Sequence, residues 1–443
     1  MGIAAVYNPD KSDCIDYLHT AIFQINHTGQ ECCGIAVYDN KKISSLTHAG
    51  LVRELKIPEN MHGWCGIGNV NKYVDHQPRK FNSPKLGEFA ITFDGYIINR
   101  KELKNRVGGV FSSLYDVELA ARLISDGKDF PDGIEHLARN IKGAFCISIL
   151  TENGEIYASR CPLALKPLIW GQGKNSYAVI TESRAFRKAG MEPVKDIEPG
   201  EIVKIDDYGI HTVKKIEGKG RKHCSFQWGY FAWIDSVIEG IPVSKVRESV
   251  AAILAKKDKD AGLDIDLVCA IEDSGKAYGE GYAMAFGAPY LTCIPKYPYA
   301  IRSYERPKES REKEAYVKFS TVDERIKGKK VVVCDDSIRR GTVTRKGPLR
   351  FVRAAGAKEI HLRIGTPKNI AYCRFDDRDA GDETLLANQL KTDEEIAKYL
   401  EVDSVKFPEV DEFVSAIVQG SKLKADDLCL GCYTKDFSFL LDD

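Results

Sequence analysis

The sequence contains no apolar run approaching the roughly 18 residues needed to span a bilayer. Its start, MGIAAVYNPDKSDC, has no charged head followed by a long apolar stretch. Neither a membrane helix nor a secretory leader is expected, and a cytoplasmic location is the default. Excess charge of either sign is also missing, because 64 Lys and Arg balance 64 Asp and Glu. A nucleic-acid binder usually carries a cationic surplus, so none is expected as a partner and any charged site must be local. Collagen repeats, low-complexity tracts and a disordered composition are absent too. With 43% hydrophobic and 29% charged residues the chain can bury a core. At 443 residues it exceeds what one small core supports, and two domains are expected.

What the sequence does have is cysteine. There are 13, an odd number, so a disulfide framework would leave at least one thiol unpaired. Reduced thiols or metal ligands fit better. Cys146 in GAFCISIL and Cys269 in DLVCAI read as small buried hydrophobes. Cys429 and Cys432 in CLGC differ, since two thiolates across a tight turn stand at chelating distance. That pattern alone leaves metal binding, redox chemistry and neither all open.

The first half reads as strands and turns with two helices. GIAAVYN, ECCGIAVYD, KLGEFAITFDG, KGAFCISILT, GEIYASR, SYAVITE and GEIVKID are strands; DCIDYLHTAIFQINH and residues 115 to 126 are helices. This is a strand-rich α+β pattern. From about residue 240 strands and helices alternate: VSKVRESVAAILAKK, DLVCAI, KAYGEGYAMAFG, KKVVVCD, TRKGPLRFVRAAG, KEIHLRIG. That order implies a parallel sheet of βαβ units. Gly and charge cluster without periodicity in GKGRKH, residues 218 to 223, which places the boundary between 1–222 and 223–443.

The sharpest motif is VVVCDDSIRRGT, residues 331 to 342. An apolar strand runs into Asp335 and Asp336, then Ser337, Gly341 and Thr342, then a helix. In open parallel sheets ligands bind where strands end and helices begin, and backbone amides there cradle phosphate. Carboxylates cannot stabilise a phosphate directly, so they would hold hydroxyl groups or a divalent cation beside it. A phosphorylated sugar needs both functions. Capping of a helix by Asp and Ser is the bland alternative for an isolated DDS. A Pro within a helix costs about 3 kcal/mol and bends it, so the helix after this loop is expected to start late or kink at Gly347-Pro348.

VVVCDDSIRRGT resembles the phosphoribosyl pyrophosphate loop of the type I phosphoribosyltransferases. Together with RAAGAKEIHLRIGTP, HTGQECCGIAV, SRCPLALKPL and EPGEIVKI, it is similar to the glutamine phosphoribosylpyrophosphate amidotransferase family over nearly the whole chain. The resemblance implies an N-terminal nucleophile-type αββα sandwich followed by an α/β phosphoribosyltransferase domain with a parallel sheet. It implies that Asp335 and Asp336 hold the ribose hydroxyls and position Mg²⁺, and that Ser337, Arg340, Gly341 and Thr342 form the 5-phosphate pocket. IEDSGKAYGEGYA resembles the pyrophosphate loop, which puts Asp273, Ser274 and Gly275 at the leaving group. KYPYAIRSYERPKESREKEAYVK is similar to the loop that closes over substrate, with Arg302, Arg311 and Lys318 on its basic positions. Arg339 departs from the family, which has an apolar residue there.

The family's glutaminase chemistry needs a cysteine at the mature N-terminus, directly before a GIxxV strand. Here Met1 precedes Gly2-Ile3, removal of Met1 would expose Gly2, and Cys14 is followed by a helix instead. The Arg that clamps glutamine's carboxylate is replaced in Asn69-Val70-Asn71-Lys72. The Asn-Gly oxyanion site reads Asp94-Gly95, and a carboxylate there would repel the developing oxyanion. Asp116 does match a family position. The first domain is therefore expected to be inactive as a glutaminase.

One branch of the family binds a four-iron, four-sulfur cluster through four cysteines. Cys224 in HCSFQWGYFAWIDS, Cys373 in IAYCRFDD, and Cys429 and Cys432 in CLGCYT match its positions. Zinc and reduced thiols are the alternatives for the quartet. The leading functional expectation is formation of 5-phosphoribosylamine from phosphoribosyl pyrophosphate and ammonia, free or supplied by a partner. Transfer to a different amine or base, and a non-catalytic redox regulator that binds phosphoribosyl pyrophosphate or nucleotides, stand beside it. The family further suggests nucleotide effectors and a homodimer or homotetramer.

Overall fold

The computed structural model describes residues 1–113, 115–218, 220–297, 318–375 and 381–440. The first half holds two antiparallel sheets. One has the order β11-β9-β10-β1-β4-β2-β3, built from β1 (Gly2–Tyr7), β2 (Cys32–Tyr38), β3 (Ile43–His48), β4 (Cys65–Asn71), β9 (Ile169–Gln172), β10 (Tyr177–Ile180) and β11 (Glu192–Asp196). The other has the order β13-β12-β8-β7-β6-β5, from β5 (Arg79–Ser83), β6 (Gly87–Ile97), β7 (Gly143–Thr151), β8 (Ile156–Arg160), β12 (Glu201–Asp206) and β13 (Gly209–Lys215).

β1 shows why its sequence is apolar without alternation. Ile3, Ala5 and Tyr7 face the second sheet, packing with Ala90, Cys146 and Ile156. Ala4 and Val6 face the other way, against Leu18 and Ile22 of α1 (Ile15–Gln24) and Phe186 of α5 (Arg184–Lys188). A strand covered on both faces has no polar side to show. Besides α2 (Arg100–Val107), the outer face of the second sheet carries α3 (Asp116–Ser125) and α4 (Phe130–Asn140), whose Val117, Leu123, Ile134 and Leu137 meet Phe89, Phe145 and Ile149. The layers are thus helix, sheet, sheet, helix. Five helices stand where two were expected; α2, RKELKNRV, buries only Leu103, so its sequence carries no apolar stripe. The outer core also takes in Phe375 and Cys429 from far along the chain, with Phe437, Phe439 and Leu440 packed against it.

Short pieces β14 (His223–Cys224), β15 (Val237–Ile238) and β16 (Ile241–Pro242) lead into α6 (Val243–Asp260). The second half then forms a parallel sheet in the order β17-β18-β19-β20: β17 (Leu267–Ala270), β18 (Lys330–Asp335), β19 (Glu359–Ile364) and β20 (Ser404–Lys406). Val331 and Val333 face one core with Leu349, Val352 and Ile396. Val332 and Cys334 face the other, with α6 and α7 (Lys276–Phe286). A last strand, β21 (Leu428–Cys429), runs parallel to β14. The helical stretch after the 331 to 342 motif kinks as expected, Gly347 standing at φ −99°, ψ −106° beside Pro348. Among the described residues no helix is long and apolar enough to cross a membrane.

Candidate functional site

β18 ends at Asp335, and the chain turns at once. Asp336 N–H donates to Asp335 Oδ1 at 2.9 Å, and Ser337 Oγ donates to Asp336 Oδ2 at 2.5 Å. Gly365 N–H, just past β19, donates to Asp335 O at 2.8 Å, so the two neighbouring strand ends are tied together. Both carboxyls are buried, 7% and 5% exposed. Burial pushes the Asp335 carboxyl well above its usual range, and the charge of Asp336 adds to this against the ammonium of Lys318. Burial also raises Asp336, opposed by hydrogen bonds from Ser274 and Ser337 and by the Arg247 guanidinium. Two adjacent buried carboxyls without a cation between them resist ionising together. A divalent cation or a set of sugar hydroxyls would supply what they lack.

The loop from β17 to α7 lies against this strand end. Gly275 packs so tightly that a Cβ there would stand 2.5 Å from Cys334 O and 2.7 Å from Ile271 O, so no larger residue fits. Ser274 reaches Asp336, while Asp273 faces Lys296 Nζ at 2.5 Å and Lys276 Nζ at 3.9 Å. Lys296 and Phe319 form an antiparallel bridge, and Tyr297 N–H donates to Lys318 O at 2.8 Å. These contacts bring Lys318 to the site. Arg302 and Arg311 lie outside the described residues. On the other side, Gly341 adopts φ +71°, where a Cβ would stand 2.9 Å from Leu386 Cδ2, and Thr342 opens the following helical turn. Arg340 Nε donates to Tyr372 Oη at 2.9 Å. Asp273, Ser274, Gly275, Lys318, Asp335, Asp336, Ser337, Arg340, Gly341 and Thr342 therefore come from separate stretches to the same end of the parallel sheet.

Two groups here escaped sequence reasoning. Lys296 opens the 296 to 318 stretch without being singled out, although its charge beside an acidic loop was a usable signal. Arg247, 4% exposed, donates to the carbonyls of Trp228, Tyr230 and Ala232, and no local motif marks it.

The four cysteines also converge. Cys224 lies directly opposite Cys429 in the β14–β21 ladder. The Cys373 and Cys432 thiols are hydrogen-bonded, and Cys224 and Cys429 both act on Cys432 electrostatically. Ile370 and Ala371 N–H donate to Cys432 O at 2.9 and 3.1 Å, and Ser225 Oγ donates to Cys429 O at 2.9 Å. Burial and the neighbouring thiols push Cys224 up, and burial pushes Cys429 up to about 12. As they stand, no three His, Cys, Asp or Glu side chains among the described residues are disposed to hold one metal ion. Cys146 and Cys269 are fully buried, as their apolar surroundings implied.

In the first half, Gly2 pairs with Val70, which sets Met1 beside Asn71 at the strand ends. The Met1 nitrogen donates to Thr28 O at 2.6 Å. Asn71 is buried; its Oδ1 accepts from Tyr73 N, and its Nδ2 has no hydrogen-bond partner. Asp94, also buried, makes an ion pair with Lys166. Burial alone would lower the Lys166 ammonium, but Asp94 holds it above its ordinary range. Asp116 Oδ2 accepts from Ile97 N at 2.9 Å and its Oδ1 faces Arg100 Nη1 at 3.3 Å.

Residues 69–188 match the model of the glutamine amidotransferase domain. The amidophosphoribosyltransferase of Methanocaldococcus jannaschii is 34% identical over 98% of this chain and 96% of its own. That of Bacillus subtilis is 30% identical over 98% of this chain and 93% of its own. Among solved structures, the B. subtilis glutamine phosphoribosylpyrophosphate amidotransferase complexed with ADP and GMP superposes with a TM-score of 0.88 at 29% identity, covering 98% of this chain and 97% of that one.

Proposed function

This chain belongs to the amidophosphoribosyltransferase family, and from that premise we propose that it displaces pyrophosphate from phosphoribosyl pyrophosphate with ammonia, giving 5-phosphoribosylamine, without hydrolysing glutamine itself. The observation that carries the transferase reading is the buried Asp335–Asp336 pair between the Ser274 and Ser337 hydroxyls, with the charge of Lys318 reaching Asp335. In this reading residues 223–443 do the chemistry and residues 1–222 do not.

The C1–O bond to pyrophosphate breaks, a C1–N bond to ammonia forms, and the nitrogen gives up a proton. Positive charge grows on the ribose ring as negative charge gathers on the leaving group. The carboxylates of Asp335 and Asp336 orient the ribose hydroxyls close to the developing cation. Lys318, and Lys296 through Asp273, set positive charge on the leaving-group side. Hard carboxylate oxygens suit Mg²⁺, which Asp335 and Asp336 would hold and which would supply charge for the departing pyrophosphate.

The separation from glutamine rests on the first half. An amidase oxyanion needs a hydrogen-bond donor, whereas Asp94 is an acceptor whose charge is already spent on Lys166. Met1 stands where the nucleophile would be, and Asn71 offers no bidentate guanidinium. The quartet suits a four-iron, four-sulfur cluster held by Cys224, Cys373, Cys429 and Cys432. Four thiolates are the ligand set that such a cluster would take. Its cationic irons would reverse the cost of ionising buried, mutually repelling thiols. The family likeness also supports nucleotide effectors and a homo-oligomer.

The test is direct. Anaerobically purified protein receives phosphoribosyl pyrophosphate and Mg²⁺ with glutamine, ammonium or no amine, and pyrophosphate and glutamate are followed. Ammonium at high pH is expected to support turnover and glutamine is not. Glutamate release matching turnover would refute the loss of glutaminase, and pyrophosphate release unaffected by ammonium would refute ammonia as the acceptor.

A further inference from the structure

Tyr372 stands between two parts of the molecule that the chain could have left unconnected. It is 4% exposed and immediately precedes Cys373. Its ring lies 4.5 Å from the Arg339 guanidinium and 5.8 Å from that of Arg340. Its hydroxyl accepts from Arg340 Nε at 2.9 Å and contacts Thr384 Oγ1 at 3.0 Å. Thr384 Oγ1 in turn donates to Gly381 O at 2.9 Å. An arginine can only donate and the Gly381 carbonyl can only accept, so the Thr384 hydrogen is taken by Gly381 and the bonds run Arg340 to Tyr372, Tyr372 to Thr384, Thr384 to Gly381. Phenylalanine could fill the same space but could not carry that relay.

The chemistry of the anchor matters. A carboxylate would hold Arg340 as firmly but would neutralise it, whereas a phenol oxygen fixes the side chain and leaves its charge for an anion. Arg339, stacked on the same ring, is the position at which this sequence departs from the apolar residue of its family. On the other side of Tyr372, Ile370 and Ala371 are hydrogen-bonded to the carbonyl of Cys432, and the Cys373 thiol is hydrogen-bonded to that of Cys432. Residues 370 to 373 are thus held by the cysteine quartet along one side, and they hold the 337 to 342 loop along the other.

Resting on the reading of that loop as a 5-phosphate cradle, we infer that Tyr372 is a positioning residue that couples the cysteine quartet to phosphate binding. A displacement of Cys373 moves the ring and hydroxyl that orient Arg339 and Arg340. Occupancy of the cradle must, by reciprocity, steady Cys373.

The experiment compares the full-length protein with Tyr372→Phe, which keeps the ring and loses only the hydroxyl. Ribose 5-phosphate, which a 5-phosphate cradle takes whatever reaction follows, is titrated by calorimetry. Tyr372→Phe is expected to bind it at least about tenfold more weakly, the effect of one lost hydrogen bond to a charged group. With phosphoribosyl pyrophosphate the same variant should raise KM and leave kcat within about twofold, since the reacting carbon is untouched. In protein freed of iron by a chelator, alkylation of Cys373, followed by peptide mapping, should be slowed several-fold by ribose 5-phosphate in the parent and not in the variant. Equal affinities in the two proteins, or equal protection of Cys373, would overturn the coupling. A parent that binds ribose 5-phosphate but not phosphoribosyl pyrophosphate would overturn the proposed reaction and leave this comparison valid; one that binds neither would overturn both.

Discussion

Replacing Asp94 by Asn puts back the residue type that the family uses at its oxyanion site, and the structure says this repair is destabilising. Asp94 is 2% exposed and Lys166, its partner, 21%. Removing the carboxylate strands the Lys166 ammonium without its anionic partner. Breaking a buried ion pair costs about 3–5 kcal/mol. Because a fifth of Lys166 reaches water, about 2–3 kcal/mol is the better figure, a fall in melting temperature of about 4–12 °C for a unit of this size. The pH dependence identifies the cause. In the parent, Asp94 raises the Lys166 pKa above its ordinary value, so the pair's contribution is fully present below the ordinary lysine value and is lost as pH rises from there through the raised one. In Asp94→Asn burial acts unopposed and lowers the Lys166 pKa, so the unfolded chain binds the extra proton and stability rises with pH toward the ordinary lysine value. Urea denaturation at pH 7 and pH 9.5 measures both effects, and Asp94→Asn/Lys166→Met, with no stranded charge, should recover most of the loss. An Asp94→Asn protein as stable as the parent at pH 7, with no gain at pH 9.5, would refute the ion-pair account. No glutamate should be released from glutamine, because Met1 and Asn71 are unchanged.

Asp335→Asn/Asp336→Asn should weaken phosphoribosyl pyrophosphate binding by at least about tenfold by calorimetry, since each lost charge-assisted hydrogen bond is worth about 1.5–3 kcal/mol; unchanged affinity would remove the pair from the site. Protein purified without oxygen should be brown, with about four irons and four sulfides per chain, and should bleach in air; a colourless, air-stable protein containing zinc would reject the cluster. Cys429→Ser should abolish iron and lower stability by several kcal/mol, and full iron with an unchanged melting temperature would return Cys429 and Cys432 to an ordinary thiol pair.

The legible parts of the molecule were those written in consecutive residues. VVVCDDSIRRGT announces a buried strand, an acidic pair at its end and the turn after it because strand burial, strand end and loop follow one another in the chain. The kink at Gly347 was readable because proline acts on its own helix. Partnerships across the fold were not readable. Lys166 lies 72 residues from Asp94, and Arg247 supports the acidic pair from a helix that precedes it by a whole βα unit. β20 is three residues long and Ser-Val-Lys carries too little pattern to be seen as a strand. Helices α2 and α5 are polar or short, and the fold, not their own amphipathicity, makes them helical.

The outer core beneath α3 and α4 is finished by Phe375, Cys429 and the Phe437–Leu440 tail. A ribosome makes residues 89 to 149 long before residues 375 to 440, so that core has to wait for the later segment to leave the exit tunnel before its final apolar side chains arrive. Until then the early half carries an uncovered seam that is open to aggregation and to chaperones. Stop codons that remove only the tail would therefore injure the half of the molecule that was made first.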